Sequence, residues 1–208
     1  GGNNSTFACR VLSSSGTDTY AALSAAIGSL KGPKHGGANL KVMEQMDTMM
    51  RQINDVYDDE EVADYLRRVL KKEAGDGSGL IYGMGHAVYT ISDPRAVLLR
   101  DKARHLAEVK GYVEEFHLLC AIERLGPQVY AELKGSKKVC ANVDLFSGLI
   151  YRMLGISPDL FTPLFAISRI SGWCAHRMEE VIFANRIMRP AYKYLGNTQP
   201  YIPLDQRP

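Results

Sequence analysis

The chain has 208 residues, 46% hydrophobic and 23% charged, which is enough for one substantial domain, or for a small domain with part of another. Its 25 basic and 23 acidic residues leave a formal charge of +2, too small to argue for a nucleic-acid partner, and no apolar run approaches the roughly 18 residues that suggest a membrane span. Cys9, Cys120, Cys140 and Cys174 are dispersed without a CxxC pair, so buried reduced thiols are expected rather than a disulfide framework or a metal site.

The apolar spacing predicts an almost wholly helical chain. A first helix is predicted over Thr17 to Leu30 and a second over Leu40 to Ile53, separated by the breakers Gly32 to Gly37. In Asp59 to Ala74, Val62, Tyr65, Leu66, Val69 and Leu70 fall at i, i+3, i+4, i+7 and i+8, one stripe of a surface helix; the acidic start at Asp58 to Glu61 and the basic finish at Lys71 and Lys72 suit the helix dipole. After a glycine-rich stretch, Gly75 to Gly85, helices are predicted over Pro94 to Val109 and Val113 to Leu133. A short helical run, Phe146 to Tyr151, lies between the breakers Gly135 to Asn142 and Gly155 to Pro158. The last helix, Pro163 to Ile187, keeps Leu164, Ile167, Ile170, Cys174, Met178, Val181 and Ile182 at helical spacing, with Pro163 in the first turn, where it is tolerated. Asn197 to Pro208 reads as an extended tail. No alternating strand pair, repeat or low-complexity segment is found.

Three breaker segments set an ionisable residue beside glycine or small polar residues: GPKHGGAN with His35, GMGHAVYTISDPR with His86, and NVD with Asp144. Together they supply histidine, arginine and carboxylate, the groups needed to polarise a carbonyl, hold an anion and move a proton. Singly, each has a plainer reading. His35 before a helix start suits either a structural turn or a neutral imidazole beside an anion. GMGHAV follows no strand and lacks the full dinucleotide-binding spacing. Asp93 and Asp144 both sit where helix caps sit. Arg95 differs, because a guanidinium in the first turn opposes the dipole and needs an anionic partner. Arg169 falls within an apolar helix, where an unpaired guanidinium is costly, so a ligand or a buried carboxylate is expected beside it. His105, His117 and His176 read as packing or surface residues, and Cys174 with His176 has no further ligands to make a metal site.

In this order, GPKHGGAN, GMGHAVY with DPR, ANVDLFSG and FTPLFAISRISGW resemble successive motifs of the citrate synthases and the related 2-methylcitrate synthases, over nearly the whole chain. The resemblance implies an all-α fold, a small domain plus the C-terminal part of a large one. Residues 1–36 would be a remnant of the large domain, 37–155 the small domain with the CoA and catalytic loops, and 156–208 the last large-domain helix and tail. It implies an acyltransferase that condenses acetyl-CoA with oxaloacetate to citrate and CoA, the thioester being a substrate and no cofactor being needed. The alternatives are a 2-methylcitrate synthase using propionyl-CoA and a catalytically silent helical module.

The same resemblance implies residue roles. Asp144 would be the base, His35 the donor to the thioester carbonyl, and His86 the donor to the oxaloacetate carbonyl. Arg95, Arg169 and Arg189 would bind the carboxylates of oxaloacetate, Arg189 from the partner subunit of a homodimer. Gly83, Met84, Gly85 and Asn142 would contact CoA. Two departures accompany these roles. Thr90 stands where relatives often carry a basic residue for CoA, and the family's histidine shortly before GGNNS falls ahead of Gly1. The expectation is therefore the C-terminal portion of a longer protein, inactive by itself, from a cytoplasmic compartment with the mitochondrial matrix left open.

Overall fold

The computed structural model describes residues 2–32, 35–135, 138–184, 186–197 and 199–207. The motif positions Gly1, Pro33 and Lys34, and Asn185, Thr198 and Pro208 of the expected last helix and tail, lie outside them. Among the described residues there are eight α-helices and two short 3-10 turns; the nearest thing to a strand is one antiparallel bridge between Met84 and Ala141.

Helices α1 (Asn4–Ser14) and α2 (Thr19–Lys31) pack with α8 (Phe161–Phe183) around Cys9, Ala22, Ala26, Leu30 and Trp173. The sequence periodicity does not show α1, because the face it buries is Ser5, Thr6, Cys9 and Ser13, small and mostly polar residues. Its start is set by the Asn3 side chain, which accepts from Ser5 N. Hydrogen bonds complete this bundle. Arg177 donates to Ser13 Oγ and Thr17 O, and Arg10 pairs with the buried Glu180 at 3.1 Å. Most of the α8 stripe read from the sequence points away from that core: Ile167, Met178, Val181 and Ile182 are each more than 60% exposed. Trp173 and Glu180 face inward instead.

The larger core joins α3 (Ala38–Gln52), α4 (Asp59–Leu70), α5 (Pro94–Lys110), α6 (Val113–Lys134) and α7 (Asp144–Met153). Every residue of the predicted α4 stripe is buried there, and Asp58 caps the helix through Glu60 N and Glu61 N. The helix ends at Leu70 rather than Ala74. Lys72 adopts a left-handed φ of 67°, and Glu73 N–H closes back on Arg68 O, which terminates the helix. Phe161, at the start of α8, is buried in this second core, so α8 touches both. No described helix is long and apolar enough to cross a membrane.

Two glycines set how α7 is seated. A Cβ on Gly148 would lie 2.7 Å from Met43 Cγ and 3.1 Å from Asn39 O, so α7 packs directly against α3; Arg152 and Asp47 form a two-pronged ion pair between the same helices at 2.6 and 2.7 Å. Gly83 has φ +81°, and a Cβ there would lie 2.9 Å from Leu145 Cα, a backbone atom that cannot swing aside. Gly83→Ala is therefore expected to lower unfolding free energy by about 2 to 4 kcal/mol, from left-handed strain plus overpacking. A urea melt with a wild-type midpoint would refute this account of the turn.

Candidate active site

Five segments meet at a cavity of about 610 Å³, lined by His35, His86, Arg95, Asn142, Asp144 and Arg169 with Asn3, Tyr89 and Phe165. The segments are far apart in sequence. His35 comes from the turn between α2 and α3, His86 from the loop before α5, and Arg95 from the first turn of α5. Asp144 is the first residue of α7, and Arg169 lies in α8. Both cores therefore contribute to the cavity.

Asp144 is half-buried, and burial pushes its carboxyl up to about 6; the positive charges of Arg95 and Arg169 pull it down and Asp93 pushes it up. It is thus a stronger base than an ordinary surface carboxylate and still ionised at neutral pH. His35 moves in the direction opposite to Asp144. Burial, and then the charge of Arg169, hold its imidazole below the usual histidine value, so it is neutral at pH 7. Its Nε2 lies 2.6 Å from Ser5 Oγ, which is also 3.0 Å from Asn3 Oδ1. Ser5 has one proton to give. Given to Asn3 Oδ1, it leaves Oγ to accept from His35 Nε2–H; turned to Nε2 instead, it leaves the ring's own proton on Nδ1, the nitrogen not held by Ser5.

His86 Nδ1 accepts from the backbone N–H groups of Val88 at 3.0 Å and Tyr89 at 3.1 Å. Those groups only donate, so the ring proton is assigned to Nε2. Nε2 lies 3.2 Å from Arg95 Nη2. Two donors are aimed at the same region, and an acceptor oxygen there can take a hydrogen bond from each. The anionic partner that Arg95 requires is Asp93. Its buried carboxylate takes Arg95 Nε at 3.0 Å and Nη2 at 2.8 Å, and also caps α5 through Arg95 N at 3.0 Å. Burial of Asp93 opposes its ionisation, but the hydrogen bonds from Arg95 outweigh that and hold its carboxyl below the ordinary value. Arg169 stacks its guanidinium over Phe165 at 5.9 Å and makes no ion pair among the described residues. Its charge acts on Asp144 and His35.

The remaining expected site residues are placed differently. Gly83, Met84 and Gly85 do not line the cavity, and their backbone is engaged internally. Gly83 O accepts from Asn142 N, Met84 N donates to Ile81 O, and Gly85 N donates to Cys140 O at 2.7 Å, while the Met84 side chain is buried against Gly126. These groups build the turn that presents His86. Asn142 does reach the cavity, but its Nδ2 donates to Gly85 O and its Oδ1 accepts from Asp144 N. Arg189 is exposed on the C-terminal segment and lines no part of its own chain's cavity. Ser5, Asn3, Tyr89 and Phe165 escape a reading by residue type. Only the GGNNS run, the GMGHAVY run and the FTPLF run before Arg169 mark them in the sequence. His105 is exposed, His117 Nδ1 meets Val56 O at 3.2 Å, and His176 meets Glu179 at 2.9 Å, all away from the cavity.

The profile described as "Citrate synthase, C-terminal domain" matches residues 1–191. The chain is 41% identical over 206 residues to the citrate synthase of Synechocystis sp., covering 99% of this chain and 48% of that protein. It is 36% identical over 206 residues to the 2-methylcitrate synthase of Shewanella oneidensis, covering 99% and 50%. The structure is similar, with a TM-score of 0.77 and 33% identity over 98% of this chain and 50% of the other, to citrate synthase from Thermoplasma acidophilum solved as a ternary complex with carboxymethyl coenzyme A and oxaloacetate. The chain spans about half the length of the curated relatives it matches.

Proposed function

The chain belongs to the citrate synthase family, and we propose that the protein carrying it condenses acetyl-CoA with oxaloacetate and hydrolyses the product to citrate and coenzyme A. The observation that carries this reading is the opposed tuning of two groups in one cavity, a carboxylate made more basic and an imidazole kept neutral. Such a pair suits removal of a proton from carbon beside a carbonyl.

In the proposed mechanism Asp144 takes a proton from the acetyl methyl group of the thioester. That carbon is a far weaker acid than any carboxyl, so a base alone cannot form the carbanion at a useful rate. His35, with the Ser5 hydroxyl turned from Asn3 Oδ1 to its Nε2, directs Nδ1–H at the thioester oxygen and supports the enol as it forms. The nucleophilic carbon then attacks the oxaloacetate carbonyl. His86 Nε2–H and the Arg95 guanidinium converge where that oxygen would gain charge; His86 gives it the proton that completes the citryl thioester, and the proton taken up by Asp144 returns through water to restore the ring. Water then cleaves the thioester, releasing citrate and the CoA thiol. Arg95 and Arg169 supply planar donors for the carboxylates of oxaloacetate. The reading includes a homodimer in which Arg189, exposed and remote from its own cavity, reaches the partner's site.

Release of free thiol from acetyl-CoA, dependent on oxaloacetate and matched by citrate, is the test. Thiol release independent of oxaloacetate would reject the condensation. The likeness to a 2-methylcitrate synthase makes propionyl-CoA the second substrate to run. One added methylene changes pocket binding by only about 1 to 3 kcal/mol, so kcat/KM for acetyl-CoA is expected to exceed that for propionyl-CoA by tenfold or more; the reverse ratio would reassign the acyl group.

A further inference from the structure

Two segments meet beside the cavity, the turn from Gly83 to Tyr89 that carries His86 and the stretch from Cys140 that leads into Asp144. Asn142 ties them at two points and bonds a third time to the start of α7. Its backbone N–H donates to Gly83 O at 2.9 Å, its Nδ2 donates to Gly85 O at 2.9 Å, and its Oδ1 accepts from Asp144 N at 2.9 Å. Gly85 N–H donates back to Cys140 O at 2.7 Å, and Met84 bridges Ala141. The Asn142 side chain is therefore bonded at one end to the residue before His86 and at the other to Asp144 itself. A primary amide is suited to this, having donor and acceptor on one rigid plane, whereas a carboxylate only accepts.

We propose that Asn142 is a positioning residue that couples the His86 turn to the start of α7, so that the donor to one substrate and the base for the other move as one unit. The inference rests on the condensation reading, in which His86 and Asp144 face different substrates. It differs from the CoA-contact role implied by family resemblance, because the amide is directed inward. Carbon–carbon bond formation requires reacting atoms held at about 3 to 3.5 Å, and a displacement of about 1 Å can cost about a hundredfold. Removing the amide leaves Gly85 O and Asp144 N–H without these partners, so that only the backbone bonds from Asn142 N to Gly83 O and from Gly85 N to Cys140 O, with the Met84–Ala141 bridge, still join the two segments.

The test compares Asn142→Ala and Asn142→Asp with wild type. For Asn142→Ala, kcat is expected to fall about 30-fold or more and KM for oxaloacetate to rise several-fold, while KM for acetyl-CoA stays within about threefold. Amide hydrogen exchange at Asp144, Val88 and Tyr89 is expected to speed up about tenfold or more together, with the α4 amides unchanged. Asn142→Asp keeps the size and the acceptor for Asp144 N–H but sets an oxygen against Gly85 O. It is expected to loosen Val88 and Tyr89 while Asp144 stays protected, and it decides the matter if the alanine variant does not fold. A raised KM for acetyl-CoA with unchanged kcat would make Asn142 a CoA contact and overturn the proposal, as would wild-type exchange in both variants. If wild type shows no oxaloacetate-dependent thiol release, the activity reading fails, and the exchange pattern still decides the coupling.

Discussion

Asp144→Asn is expected to lower kcat by about a thousandfold or more, since a positioned general base contributes about 10² to 10⁴ and asparagine has no basic group to replace it. In wild type, the same carboxyl should place an acid limb near pH 6 on the kcat profile, with activity falling below it as Asp144 takes up a proton. Stability should move the other way. Because the folded carboxyl binds its proton more tightly than an unfolded one, the native state holds more protons between about pH 4 and about pH 6, so unfolding free energy declines as pH rises through that window. At neutral pH the wild-type protein bears that penalty in full, and Asp144→Asn removes it. The variant should gain about 1 to 3 kcal/mol at pH 7 and little at pH 4, as read from denaturant melts at the two pH values. An inactive variant with no gain would mean that the cavity does not raise the carboxyl. A fully active one would end its assignment as the base.

His35→Ala is expected to lower kcat by about 10²- to 10³-fold, the usual loss when one donor to a developing oxyanion is removed. KM for oxaloacetate should change little, because His86, Arg95 and Arg169 remain. Burial and the Arg169 charge favour the neutral ring, so His35 should donate without ionising, and wild-type kcat should not decline between about pH 7 and about pH 8 as it would if an imidazolium were required. A kcat within about threefold of wild type for His35→Ala would remove the imidazole from enol formation.

The helices most legible in the sequence were those with a large apolar stripe. The α4 stripe from Val62 to Leu70 is buried as its spacing predicts, and its acidic start coincides with the Asp58 cap. α1 was illegible because it packs through serine, threonine and cysteine, which carry no hydropathic signal. The α8 stripe was legible as a helix but misleading about the buried face, since periodicity marks an apolar side and not what lies against it. In the site, the order of the motifs around His35, His86, Asp144 and the arginines was enough for a family resemblance. Ser5 was not legible as a partner of His35, because a serine 30 residues away in sequence reaches that ring only through the packing of the chain.

Residue identity and order alone therefore determined the helical class, the presence of two histidines and a carboxylate in glycine-flanked turns, and the need of Arg95 for an anion. Tertiary structure decided what those groups became. Burial raised Asp144 and lowered His35, Asp93 took up Arg95, and two backbone donors at Nδ1 set the Nε2 proton of His86. The physical reason is range. Hydropathic periodicity is a local property of a few turns of chain, whereas desolvation, charge coupling and hydrogen-bond direction depend on which distant segments are brought within a few ångströms, and that is set only by how α3, α5, α7 and α8 pack.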